Sequence, residues 1–239
     1  MLAGAAETSE LQSSLLGRQF WLRHGFGTRH TPYPAAPLAL AQQIHSAKVL
    51  DVCGAGPAGE GDALITSAPG LAIGVKTADC FPILLADPRK SVIAAVHAGW
   101  RGTAKNIVQE TLLHMRERFG TVPSDVIAAI GPGIGKCCFE VGPEVAREFA
   151  TWIPSVESAP AKTTIDLQDV LQRQLLDGGV FDGNIEFVGP CTVCSNDLLF
   201  SFRREKETAG RMLAWIALAP PQQNERGAAD GRTPSTIRK

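Results

Sequence analysis

Three short segments of the 239-residue chain concentrate the side chains that could do chemistry. They are Gln43-Ile44-His45-Ser46, Lys76-Thr77-Ala78-Asp79-Cys80-Phe81-Pro82 and His97-Ala98-Gly99-Trp100-Arg101-Gly102. Zinc accepts imidazole nitrogen and thiolate sulfur, and a catalytic zinc keeps three protein ligands and one open position. His45, Cys80 and His97 satisfy that count. Two other chemistries use the same residue types. Cys80 could be a nucleophile with His97 as its base and Asp79 as an orienting group. Two His and one Cys also describe a copper centre, which wants a weak axial Met; none of the three Met residues adjoins these positions. The spacing is long and has no close pair, and a lone His or Cys is more often a hydrogen-bonded core residue. Spacing by itself leaves these readings open.

Other side chains fit an anion or a second metal. Arg101 is expected just ahead of a helix, whose free N–H groups and a guanidinium together suit phosphate or carboxylate. Arg203 and Arg204 have the same reading, against the commoner fate of surface cations. Gly131-Pro132-Gly133-Ile134-Gly135 lacks the spacing and the following Lys-Ser/Thr of a phosphate loop and reads as a turn. Cys191-Thr192-Val193-Cys194 is a close pair whose partners for a structural zinc would be Cys137 and Cys138; core or loop cysteines are the simpler reading.

The elements that must position these residues alternate without a regular βαβ repeat, so an α+β fold with mixed sheets flanked by helices is expected. Leu71–Lys76 and Ser91–His97 read as buried strands, so the chemical residues fall at strand ends, where sites are usually built. Thr103 is the expected cap of a helix whose apolar positions run to Met115 and stop at Gly120. Asp125–Ile130, Ile185–Val188 and Met212–Leu218 read as strands, and Pro143–Trp152 and Asp166–Leu176 as helices.

Composition is that of an ordinary globular chain, 44% hydrophobic and 20% charged, with a formal net charge of -1. No basic stripe is present, which argues against a nucleic-acid partner. No stretch approaches the ~18 apolar residues of a membrane helix. Met1–Leu16 has neither a basic start nor an apolar run, so it is not expected to be a signal peptide. Six cysteines then suit a reducing cytoplasm. One domain over residues 17–218 is expected, and as its assembly a monomer. Residues 1–16 and the Pro/Gly-rich, polar residues 219–239 are expected to be flexible tails.

Taken in order, the three segments resemble the laccase-domain family, also called polyphenol oxidase-like, which includes purine nucleoside phosphorylases and the peptidoglycan editing factor. Ile130–Gly135, Cys138-Phe139-Glu140-Val141, Cys191-Thr192, Phe200–Arg204 and Gly210-Arg211-Met212 extend the resemblance over about residues 22 to 218. The resemblance implies zinc held by His45, Cys80 and His97, with copper the lesser alternative. It implies phosphorolysis of adenosine, inosine, guanosine or methylthioadenosine, with adenosine deamination in the same pocket. Zinc lowers the pKa of water toward ~7, which suits attack on the ring carbon that carries the amine. Phosphorolysis needs phosphate held against the anomeric carbon. By the same resemblance Arg101 and Arg203, with Arg29 and Gln43, would bind substrate and phosphate. Cys80, His97, Asp79 and Arg101 would carry catalysis, with Asp79 or Glu140 moving a proton or orienting a neighbour. Three alternatives share the pocket: a peptidoglycan-precursor editing hydrolase, a copper polyphenol oxidase, and a non-catalytic zinc-stabilised nucleotide-binding protein. His24–Arg29 resembles the family's entry motif. The glycine-rich stretch and the helix with an Asn-Arg pair that should follow it are missing, and only His30–Gln42 leads to Gln43.

Overall fold

The computed structural model describes residues 10–158 and 160–220. In the first half of the chain the strands are β1 (Leu22–Phe26), β2 (Leu38–Gln42), β3 (Val49–Asp51), β4 (Gly56–Glu60), β5 (Ala63–Thr66), β6 (Ala72–Thr77), β7 (Phe81–Asp87) and β8 (Val92–Ala98). In the second half they are β9 (Ile127–Ile130), β10 (Glu140–Val141), β11 (Thr163–Thr164), β12 (Ile185–Phe187) and β13 (Met212–Leu218). The helices are α1 (Ser14–Gly17), α2 (Trp100–Ala104), α3 (Ile107–Phe119), α4 (Pro143–Ala146), α5 (Leu167–Asp177) and α6 (Phe202–Glu205).

Two mixed sheets form one α+β domain, in the orders β1-β13-β6-β2-β4 and β12-β9-β7-β8-β5-β3. The second sheet is buried on both faces, which explains its unbroken apolar runs. Along β7 the side chains alternate: Leu84 and Ala86 face Ile73, Val75 and Ile216 of the first sheet. Ile83 and Leu85 join a second core with Val108, Leu112 and Met115 of α3 and Leu171 and Leu175 of α5. The layers are therefore sheet, sheet, helices.

The register sets the site. β7 and β8 are an antiparallel pair with Phe81 opposite Ala98 and Pro82 opposite His97, so Cys80, one residue before β7, lies beside the end of β8. β5 pairs with β8 through Ala63 and Val96, which brings Asp62 to the same end.

Two expectations fail. The helix expected from a Thr103 cap begins earlier and is broken. α2 starts at Trp100, after Gly99, and the Thr103 hydroxyl donates back to the Gly99 carbonyl at 3.0 Å. Asn106, at φ 59°, adopts the left-handed conformation that Asn tolerates and separates α2 from α3. Arg101 thus lies within a helix rather than before one. Residues 10–16, expected in a flexible tail, pack onto the domain. Leu16 is 0% exposed, Leu11 bridges Phe26, and the Glu186 carboxylate accepts from the Ser13 hydroxyl at 2.6 Å and the Leu15 N–H at 2.9 Å. The tail expectations for residues 1–9 and 221–239 lie outside the described residues. Among the described residues, no helix is long and apolar enough to cross a membrane.

Candidate metal centre and its pocket

The ends of β7 and β8 and the β2–β3 loop bring Cys80, His97 and His45 together, with ligand atoms all within 4.8 Å of one another. An ion making bonds of ~2.0–2.3 Å fits a group of that span, and the N, S, N donor set suits zinc. The imidazole rings stand edge to face, centroids 5.0 Å apart. Gly99 is required beside them, because a Cβ there would sit 2.8 Å from Cys80 Sγ and 3.3 Å from His45 Cδ2.

The organiser of this group is Asp62, which sequence reasoning missed. Its side chain is 0% exposed. Oδ1 accepts from His97 Nδ1 at 2.8 Å and from the His45 N–H at 3.0 Å. Oδ2 accepts from the Ser46 N–H at 2.6 Å, the Ser46 hydroxyl at 2.7 Å and the Ile44 N–H at 3.3 Å. These bonds hold His45 at φ 56°, a left-handed backbone costly for a side-chain-bearing residue. They also commit His97 Nδ1 to Asp62, which makes Nε2 the ring nitrogen available to a metal that displaces its proton. Burial alone would raise the Asp62 pKa, but His97 and Ser46 hold it well below the usual carboxylate range. Burial would likewise raise Cys80, yet hydrogen bonding with His45 and His97 brings it down to about 7. For His97, Asp62 and Cys80 outweigh burial and raise it to about 9. The only hint of Asp62 in the sequence is an acid heading the apolar run Ala63-Leu64-Ile65.

The group opens on a cavity of about 800 Å³, whose lining includes Trp100, Arg101, Ile134, Phe139, Glu140, Phe202 and Arg203. That is the size of a small-molecule site. Arg101 stacks on Trp100 at 4.3 Å, and its guanidinium is in no ion pair among the described residues. Arg203 lines the cavity but donates to the carbonyl oxygens of Cys138 and Glu140, at 3.3 and 3.1 Å. Three further cations, Lys76, Lys206 and Arg211, also line it and were not singled out from the sequence.

Other expected site residues have structural duties. Arg29 does not line the cavity: its guanidinium pairs with Glu205 at 2.8 Å, donates to the Leu199 carbonyl at 3.0 Å and stacks on Phe200. Gln43 lines the cavity, but its amide bridges the backbone of Lys76, donating and accepting at 2.8 Å. Asp79 is buried at φ 86°; it accepts from the Thr192 hydroxyl and the Arg203 N–H, each at 2.6 Å, and so joins three loops. The Gly131–Gly135 segment, expected as a turn, is an irregular connection that leads into a turn at residues 136–138 and packs on aromatic rings, with a Cβ at Gly131 placed against Phe26 and one at Gly133 2.5 Å from Phe81.

A family model described as multi-copper polyphenol oxidoreductase laccase matches residues 27–219. The purine nucleoside phosphorylase of Bacteroides thetaiotaomicron is 42% identical over 163 residues, 66% of this chain and 60% of that protein. The chain thus spans under two thirds of that relative's length. The purine nucleoside phosphorylase of Deinococcus radiodurans is 38% identical over 82% of this chain and 76% of its own. Adenosine deaminase RL5, from an unknown prokaryotic organism, is 36% identical over 75% of this chain and 74% of its own. The crystal structure of YlmD from Geobacillus stearothermophilus superposes with a TM-score of 0.78 at 27% identity, covering 87% of this chain and 94% of that one.

Proposed function

The chain belongs to the family described as multi-copper polyphenol oxidoreductase laccase, and on that premise we propose that it is a zinc-dependent enzyme of purine nucleosides. Two reactions are assigned to the one cavity. Inosine and phosphate give hypoxanthine and ribose 1-phosphate; adenosine and water give inosine and ammonia. The observation that carries the reading is the convergence of His45, Cys80 and His97 on a cavity of nucleoside size rimmed by cations. The names of the phosphorylase and deaminase relatives support it.

In this reading His45, Cys80 and His97 hold the zinc, which when bound supplies a Lewis acid and makes water a usable nucleophile near neutral pH. Asp62 fixes the His97 tautomer. Phe139, Phe202 and Trp100 offer the apolar surfaces that a purine ring needs. Arg101 meets phosphate, helped by Lys76, Lys206 and Arg211. None of these four cations is in an ion pair among the described residues. This replaces the phosphate grip expected from Arg29, whose charge is used by Glu205. Asp79 acts as a positioning residue, because both its oxygens are occupied by Thr192 and Arg203.

A multi-copper centre is disfavoured by the donors available. Of the five His residues, His24 accepts from the Ser13 N–H, His30 meets the Asp197 carbonyl and His114 meets Asp51, all away from the group. The test is turnover by zinc-loaded protein of inosine with phosphate, and of adenosine without it. Products in both assays, lost in Cys80→Ala, are expected. No turnover of either nucleoside at full zinc loading refutes the proposal.

A further inference from the structure

Four cysteines outside the catalytic group converge on one point. Cys137 and Cys138 lie on the loop after Gly135, and Cys191 and Cys194 on the loop after β12. Their sulfur atoms all lie within 4.8 Å of one another. Cys194 Sγ is 3.7 Å from Cys137 Sγ and 3.5 Å from Cys138 Sγ. A tetrahedral zinc with Zn–S bonds of ~2.3 Å has sulfur atoms on edges of roughly 3.8 Å, so the two measured edges are near those of a zinc-thiolate tetrahedron. All four cysteines are free.

The backbone around them is arranged for anionic sulfur. The Gly135 N–H donates to Cys191 Sγ at 3.2 Å. Such N–H to sulfur bonds stabilise thiolate ligands and hold them in place. Gly135 is tightly fitted, since a Cβ there would lie 3.2 Å from Cys191 Cβ and 3.4 Å from Cys137 Sγ.

We propose that Cys137, Cys138, Cys191 and Cys194 form a second, structural metal site that binds zinc through four thiolates. Each thiol gives up its proton to solvent as it ligates. The site ties together two loops that build the catalytic pocket. The Cys137-Cys138 loop runs directly into Phe139 and Glu140 of the cavity wall. The Cys191–Cys194 turn carries Thr192, whose hydroxyl holds Asp79. Its carbonyl groups at Thr192 and Val193 accept from Arg204 at 2.8 and 2.7 Å. A closed four-sulfur shell leaves no open position, so the ion would fix these loops and take no part in the chemistry.

The test separates the two sites by stoichiometry. Full-length protein is loaded with zinc under reductant, passed through gel filtration and analysed for metal. Two zinc ions per chain are expected for the wild type, and one each for Cys80→Ala and Cys194→Ser. Cobalt loaded into Cys80→Ala is expected to show intense thiolate-to-cobalt charge-transfer absorption. Should Cys194→Ser fail to fold, the Cys80→Ala protein still decides. No retained metal there, or cobalt absorption without the thiolate band, overturns the proposal. So does a thiol count showing Cys194 in a disulfide in protein purified under reductant. Because the Cys80→Ala protein lacks the catalytic ligand, this result is independent of whether nucleosides are turned over.

Discussion

Replacing Asp62 by Asn keeps the shape of the side chain and converts one of its oxygens into a donor. Oδ1 has two donors, His97 Nδ1 and the His45 N–H; Oδ2 has three, from Ser46 and Ile44. The amide nitrogen is expected at the Oδ1 position, where fewer bonds are lost. His97 can adapt by becoming an acceptor at Nδ1, but its proton then moves to Nε2, the nitrogen needed for metal. The His45 N–H cannot adapt and loses its acceptor. An unsatisfied buried donor costs about 1–3 kcal/mol, and bonds to a charged acceptor exceed those to a neutral one, so a total loss of roughly 2–4 kcal/mol is expected. Removing the carboxylate partner of a metal-ligating His typically costs about 10–100-fold in metal affinity. Urea denaturation of metal-free protein measures the first effect and zinc competition with a chelating dye the second. A variant within about 0.5 kcal/mol of the wild type, as for an ordinary surface change, with unaltered zinc affinity would refute the assigned role of Asp62.

Four further substitutions test separate parts of the account. Gly99→Ala has a permitted backbone, φ -77°, but drives a methyl against Cys80 Sγ; zinc affinity is expected to fall while a chelator-treated sample melts close to wild type. Arg101→Ala is expected to raise KM for phosphate about tenfold, the loss of one charge-assisted contact of ~1.4 kcal/mol, with stability unchanged. Arg29→Ala should lower stability and leave that KM unaltered, as steady-state kinetics and thermal melts on the same preparations would show. The last is a pH effect at the N-terminal clamp. Burial would raise Glu186, but the Leu15 N–H, the Ser13 hydroxyl and the Ser14 N–H outweigh it and lower its pKa. A carboxylate lowered in the folded state stabilises above the ordinary Glu pKa and loses that contribution as pH falls through its folded value. Glu186→Gln is therefore expected to cost about 1–2 kcal/mol at neutral pH, allowing for partial exposure, with the gap closing as pH falls below ~4; a gap that persists in acid denaturation curves contradicts it.

β6 and β8 are legible because they are buried and rich in Ile, Val and Ala, whereas β7, Phe81–Asp87, is buried throughout yet is not among the expected strands. β4, Gly56–Glu60, carries no such pattern and is recognised only by its pairing with β2. His45, Cys80 and His97 were visible as residue types at strand ends, whereas Asp62 looks like any acid in a turn until β5 pairs with β8. The helix break at Asn106 is invisible to apolar periodicity, which continues across it. The same limit explains Arg29 and Lys76. Both are cations in the sequence, and only the fold shows that Glu205 occupies the first while the second faces the cavity. Residues 10–16 form too short a pattern to read, and their main anchor, Glu186, lies 173 positions from Ser13.

The central claim, that His45, Cys80 and His97 hold the catalytic metal, is tested most directly by anomalous diffraction at the zinc edge from crystals of zinc-loaded protein. The account predicts a peak bonded to Cys80 Sγ and to one ring nitrogen each of His45 and His97, at ~2.3 and ~2.0–2.1 Å, with Asp62 still on His97 Nδ1. Full zinc loading with no peak at these three residues would contradict it.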